Sequence, residues 1–249
     1  MRGGVIVRDW VLTSTVCEPP DRYFDEIIPY TWPIMEAYAE AHDMAWEPKV
    51  ITRAEYGIFA NVGTAPHGTA SVYASIPHRR QLLDHYDGVV FFDCDNILTA
   101  AGMEHDICDC VSDEQPIATE PACNCAVMVL KSCDKTKEML DYIWDVRHAY
   151  KHLQWLEQAA YMDLMGFDGR YPGDFQPPVW LGATEWTPLR ADLPVGWNAH
   201  PLRPLPDPLL SLHPGGIQPF ERRMEYVRSY AAQTAATLLI ESPTGERTS

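Results

Sequence analysis

The sequence predicts an α/β fold in a single domain, with a mainly parallel sheet flanked by helices. Three observations carry this. The run Val89-Val90-Phe91-Phe92 has no polar alternation, as suits a strand buried on both faces of a parallel sheet. Segments with strand and helix character alternate along the first hundred residues as β, α, β, α, β, the order of a parallel sheet with crossover helices. The chain of 249 residues is 46% apolar with eight tryptophans, enough for one sizeable core.

Val5 to Val16 alternates well enough for a first strand ending in the hydroxyl-rich Thr13-Ser14-Thr15. Pro33 is placed to start a helix, with Ile34, Ala37, Tyr38 and Ala41 at helical spacing. Lys49-Val50-Ile51 reads as a short second strand. Pro77 is placed to open a helix containing Arg80, Leu83 and His85, and Asp87-Gly88 then turns the chain into the apolar strand. Asn124 to Leu130 reads as a further strand. Asp134 is a candidate cap for a helix with Met139, Ile143, Val146 and Tyr150 on its buried face. Trp155 to Met165 reads as the next helix, with Glu157 and Gln158 near its start.

Tyr171 to Pro208 holds nine prolines together with Trp180, Trp186 and Trp197, and reads as a long ordered loop. Large aromatics over a ligand edge suit a sugar or other flat-faced substrate, and serve equally to pin a loop to the core. A last helix begins at Pro219, with Phe220, Met224, Val227 and Ala231 on one face. The division expected is residues 1-240 as one domain, with 1-122 the nucleotide-binding half and 123-240 the sugar and acceptor half, and 241-249 as a tail.

The apolar strand stops on Asp93-Cys94-Asp95. A strand buried on both faces has nowhere to hide a carboxylate, so both aspartates should emerge at its carboxyl edge, where open α/β sheets bind ligands. Two carboxylates there suit Mg²⁺ or Mn²⁺ together with substrate phosphates. The same pair also fits a turn cap and a solvated side chain. Before the last helix, Gly215 and Gly216 let backbone approach a ligand, and the helix N-terminus favours an anion. His213, just ahead of them, is a candidate metal ligand or a structural histidine.

With 19 basic against 35 acidic residues the formal charge is -16, which argues against a nucleic-acid partner. A nucleotide-type anion remains compatible, because a bound cation dominates its local field. No stretch has the pattern of a signal peptide and no run approaches about 20 apolar residues, so a cytoplasmic protein without a membrane span is expected. Seven cysteines, with one residue between Cys108 and Cys110 and between Cys123 and Cys125, match zinc spacing poorly and read as reduced, buried thiols.

Taken in order, these motifs resemble the metal-dependent glycosyltransferases of the GT-A fold, and among them the galactosyl, xylosyl and mannosyl transferase family that uses nucleotide sugars. The similarity runs from about Val5 to Tyr230. It is carried by Arg79-Arg80 before Tyr86-Asp87-Gly88-Val89-Val90-Phe91-Phe92-Asp93-Cys94-Asp95, by Asn124-Cys125-Ala126, by Glu157-Gln158-Ala159-Ala160, by Trp197-Asn198, and by His213-Pro214-Gly215-Gly216. It implies a Rossmann-like, mixed but mainly parallel sheet and a retaining transfer from a UDP- or GDP-sugar to an acceptor with bound Mn²⁺ (or Mg²⁺).

Carried over by position, Asp95 and His213 would bind the metal, with Asp93 on the metal or the ribose. Thr13, Ser14, Arg80, Cys94, Gly215 and Gly216 would line the nucleotide. Asn124, Glu157 and Gln158 would surround the transferring sugar, Glu157 and Gln158 as catalytic residues, and Trp180, Trp186 and Trp197 would face the acceptor. Glu157 stands where the family has Asp, and Ala126 where it has Gly. Two other readings share this sheet logic. A nucleotidyltransferase that makes the nucleotide sugar would open with a glycine-rich basic loop, which Thr13 to Pro20 lacks. A non-catalytic carbohydrate-binding protein on the same fold would accommodate the exchange at Glu157.

Overall fold

A computed structural model describes residues 9–18, 21–52, 55, 68–121, 123–150, 153, 156–170, 178–215 and 217–241. In chain order the strands are β1 (Trp10–Thr13), β2 (Thr15–Cys17), β3 (Ala45–Trp46), β4 (Lys49–Ile51), β5 (Gly88–Phe92), β6 (Ile97–Leu98), β7 (Ile117–Thr119), β8 (Val127–Lys131), β9 (Arg190–Asp192) and β10 (Ser211–Leu212). The helices are α1 (Ile28–Ala41), α2 (Gly68–Leu82), α3 (Ala100–Met103), α4 (Asp134–Tyr150), α5 (Leu156–Leu164) and α6 (Phe220–Glu241).

The main sheet runs β3-β1-β5-β8-β7-β9. β1 is parallel to both β3 and β5, and β9 is parallel to β7, whereas β8 runs antiparallel to β5 and β7. The sheet is therefore mixed and mainly parallel, and its pairing of β5 with β8 crosses the boundary expected at residues 122 and 123. Two small sheets, β2 with β4 and β6 with β10, lie outside it.

Period-two alternation explains why β5 reads as a continuous apolar run. Val90 and Phe92 point into one core with Leu12, Val127 and Val129, covered by Ile34, Met35 and Tyr38 of α1 and Met224, Val227 and Ala231 of α6. Val89 and Phe91 point into the other with Val11, Met128 and Leu130, covered by Tyr73 and Ile76 of α2, Met139 and Ile143 of α4, and Tyr161 of α5. Each large side chain so buried contributes about 1.5–3 kcal/mol, and the two cores hold the sheet between two helical layers. Gly88 opens β5 because a β-carbon there would lie 2.3 Å from the Trp10 ring.

Several local expectations change. The first strand is two, broken at Ser14, and β2 leaves the main sheet to pair with β4; Val5 to Arg8 lie outside the described residues. Pro33 does not start a helix. It sits inside α1, which begins at Ile28 after a π-helical turn, Tyr23–Ile27. Its ring is on the exposed face, so the lost hydrogen bond falls on the solvent side. Pro77 likewise lies inside α2, which ends at Leu82 and leaves Leu83 and His85 in the following turn. The buried Tyr73 and Ile76 on that helix supply packing that outweighs one missing bond.

Asn124 precedes β8 rather than belonging to it. Asp134 is the first residue of α4, whose end is closed by Thr136 Oγ1 accepting from Cys133 N at 3.1 Å. The face expected on α4 is buried at Met139 and Ile143 and half-buried at Val146 and Tyr150. Trp155 lies outside the described residues. The proline-rich segment is not purely a loop, since Arg190–Asp192 forms the sheet's edge strand β9. No helix among the described residues is long and apolar enough to cross a membrane.

Candidate active site

Asp93 and Asp95 follow β5 directly. The turn that carries them is fixed from three sides: Asp93 N donates to Ala126 O at 2.8 Å, Asn96 N to Asp93 O at 2.9 Å, and Thr31 Oγ1 to Cys94 O at 2.6 Å. Pairing of β6 with β10 then sets Leu212 opposite Ile97 and Ser211 opposite Leu98. That antiparallel register brings the next residue, His213, back to the aspartates. His213 Nε2 lies 3.2 Å from Asp95 Oδ1 and 3.6 Å from Asp93 Oδ2, and His213 N donates to Ala199 O at 2.8 Å.

One potential ligand atom from each of Asp93, Asp95 and His213 lies within 4.8 Å of the others, the one such group of His, Cys, Asp or Glu side chains among the described residues. Asp95 is 4% exposed. Burial, with Asp95 adding to it and His213 opposing, pushes Asp93 up to about 6. Burial pulls the His213 pKa down, but the two aspartates outweigh it and the net direction is up. Two carboxylates beside an imidazole are a donor set suited to a hard divalent cation. The residues fit the ion that the resemblance implies.

Gly215 belongs to this geometry, because a β-carbon there would sit 2.4 Å from His213 Nε2. Gly215→Ala is therefore expected to displace the imidazole and weaken Mn²⁺ binding about tenfold or more, read by calorimetry, with an unchanged circular dichroism spectrum. His200 Nε2 donates to Gly215 O at 3.1 Å. Gly216 lies outside the described residues.

The start of α5 is the other half of the site. Leu156 has φ 49°, a left-handed conformation that a branched side chain rarely adopts, and it sets Glu157 and Gln158 on the first turn. Gln158 Oε1 accepts from Cys125 N at 3.3 Å. Glu157 is pushed up to about 7, chiefly by burial and then by the charge of Asp93, while Arg79 opposes. Asn124 sits in a turn, its Oδ1 accepting from Ala126 N at 2.9 Å, beside Cys123 with φ 60°.

Arg79 is the residue of its pair that turns inward, whereas Arg80, the one expected at the nucleotide, does not. Arg80 makes ion pairs with Asp84 at 2.9 Å and Asp141 at 3.2 Å on the outer face of α2. Arg79 is 2% exposed; its guanidinium bonds Ser75 and Met128 Sδ and lies 4.4 Å over the Phe91 ring. Among the described residues it has no carboxylate within ion-pair distance, but Glu157 and Asp93 both act on it. The sequence carried no signal that separates the two, since Arg79 and Arg80 fall three and four residues after Ile76 and both spacings are compatible with its face.

Thr13 and Ser14 lie at the end of β1 and are fully buried. Thr13 Oγ1 donates to Glu47 O at 2.7 Å and lies 3.1 Å from His78 Nε2, while Ser14 Oγ has no partner among the described residues. Cys94 is half-buried. The tryptophans do not form one acceptor surface. Trp197 packs in the core against Tyr38 and Phe92, and Trp186 is buried on the other side of the sheet under Lys135. Only Trp180, 49% exposed and edge-on to Phe167, presents a face to solvent. Burying a large ring outweighs a surface role, so the first two pin the loop. Cys108, Cys123 and Cys125 are buried, and none of the seven cysteines is joined in a disulfide.

No family model matches the chain, and no curated protein matches it by sequence. Solved structures do. A glycosyltransferase involved in the glycosylation of the major capsid of PBCV-1 matches with a TM-score of 0.60 at 12% identity, over 88% of this chain and 99% of that one. The glycosyltransferase GlyE of Streptococcus pneumoniae TIGR4 matches with a TM-score of 0.50 at 13% identity, over 96% of this chain and 66% of that one. The mixed, mainly parallel sheet flanked by helices in a single domain is thus the fold these glycosyltransferases share with this chain.

Proposed function

We propose that this protein is a divalent-metal-dependent glycosyltransferase that moves a sugar, with retention, from a UDP- or GDP-sugar to an acceptor in the cytoplasm. The observation that carries the reading is the convergence of Asp93, Asp95 and His213 at the carboxyl edge of β5, with Arg79 near enough to act on Asp93, and Asp93 on Glu157. Seven cysteines outside any disulfide accord with a reducing compartment.

Asp95 and His213 would hold Mn²⁺ or Mg²⁺, with Asp93 on the ion or the donor ribose. The ion, when bound, neutralises negative charge that builds on the departing diphosphate. The protein's own residues do the rest. Thr13 and Ser14 would lie beside the nucleoside, and the backbone at Gly215 would let the diphosphate approach the start of α6. Asn124 and Gln158 offer amides to the sugar hydroxyls. Breaking the sugar–phosphate bond leaves positive character on the anomeric carbon, and the Glu157 carboxylate is suited to stabilise it, with Arg79 favouring its ionised form.

Titration calorimetry with UDP and GDP tests the donor reading. One nucleotide should bind at least about tenfold more tightly with Mn²⁺ than with EDTA. Equal affinity in the two conditions would count against it.

A further inference from the structure

Arg223 is a buried charge that the proposed chemistry does not use. It lies on α6, three residues after Phe220 and four before Val227, on the stripe that faces the core. It is 4% exposed. Its guanidinium sits 5.4 Å from the Tyr23 ring and 5.8 Å from the Phe220 ring, and its Nε has no hydrogen-bond partner among the described residues. Its one ionic contact there is Nη1 to Asp95 Oδ2 at 3.5 Å. Burying a guanidinium costs several kcal/mol, which a single long contact does not recover. Arg22, by contrast, lies 3.9 Å from the Phe220 ring centroid and pairs with Glu221 and Glu26 at the surface.

The two oxygens of Asp95 are thereby divided. Oδ1 faces His213 Nε2 at 3.2 Å, and Oδ2 faces Arg223. We propose that Arg223 is a positioning residue that holds Asp95 as a one-oxygen ligand, and so biases the site toward small octahedral cations and against Ca²⁺. A carboxylate oxygen that faces a guanidinium is a weaker and less free donor to a cation, so chelation through both oxygens is disfavoured. Ca²⁺ gains from bidentate carboxylates and takes about six to eight oxygens, whereas Mg²⁺ keeps a compact octahedron that one oxygen per carboxylate satisfies, and Mn²⁺ shares that geometry. The inference rests on Asp93, Asp95 and His213 forming a metal site.

The test compares Mn²⁺ and Ca²⁺ affinities of the folded protein by calorimetry, in wild type, Arg223→Met, Arg223→Lys and Asp95→Asn. Removing a positive charge strengthens both ions alike, so the ratio of affinities isolates ligand geometry from charge. In Arg223→Met the preference for Mn²⁺ over Ca²⁺ should fall about tenfold, and Arg223→Lys should restore part of it. An unchanged ratio in Arg223→Met, with Asp95→Asn abolishing binding, would overturn the inference and leave the metal site standing. Wild-type protein that binds neither ion would overturn both. Loss of thermal stability in Arg223→Met with an unchanged ratio would assign Arg223 a purely structural role and also overturn the inference.

Discussion

Asp95→Asn is expected to lower Mn²⁺ affinity by at least about 100-fold and to reduce sugar transfer below detection. Asp95 is the carboxylate that His213 approaches most closely and the one buried among protein groups. Asparagine keeps the shape and the carbonyl oxygen but removes the charge, so a hard cation loses its main electrostatic partner. The substitution also leaves Arg223 facing a neutral amide across the 3.5 Å contact. A folding cost of about 1–3 kcal/mol follows from that uncompensated guanidinium. Calorimetry with Mn²⁺, beside urea denaturation of the same preparation, separates the two effects. Wild-type Mn²⁺ binding by folded Asp95→Asn would remove Asp95 from the site.

Glu157→Gln carries the second large effect, and its sign depends on pH. In the metal-free protein Glu157 titrates at about 7, against 4.5 for the free side chain. Between those values the folded state holds a proton that the unfolded chain has released. Stability associated with the protonated carboxyl is complete below pH 4.5 and is lost as pH rises through 7. Glutamine does not titrate. Relative to wild type, Glu157→Gln should therefore be neutral near pH 4 and more stable by on the order of 2 kcal/mol at pH 8, in urea denaturation with EDTA. Transfer should fall by about 100-fold over the same range. A stability difference that does not change with pH would show that burial and Asp93 do not act on Glu157 in this way.

The parts of the fold legible in the sequence were those with one strong signal. Val89 to Phe92 could be read because burial on both faces removes polar alternation, and β5 is buried throughout. The stripe from Met224 to Ala231 was legible for a related reason, since one helical face packs on a core. Proline misled at positions 33 and 77: the sequence shows where an N–H is missing, but not that a helix can pass through on tertiary packing. β9 and the antiparallel setting of β8 depend on partners distant in the chain, which local periodicity does not register.

The site divides in the same manner. Asp93 and Asp95 follow from the strand that ends on them, whereas their meeting with His213 depends on the β6–β10 register. Arg223 was readable as a charge beside an apolar helical stripe, yet a stripe does not say which carboxylate lies opposite, and for Arg79 and Arg80 the spacing did not say which of the two turns inward. Trp186 and Trp197 illustrate the converse. An aromatic in an irregular segment suits a binding surface and a core anchor alike, and only burial on opposite sides of the sheet separates the two.

The most direct measurement is release of nucleoside diphosphate from a panel of UDP- and GDP-sugars, with Mn²⁺ and with EDTA, in wild type and Asp95→Asn. Glycosyltransferase chemistry at Asp93, Asp95 and His213 predicts slow hydrolysis of at least one donor that requires Mn²⁺ and disappears in the variant. Release that persists in EDTA or in folded Asp95→Asn, or no release from any donor together with no Mn²⁺-dependent nucleotide binding, would contradict it.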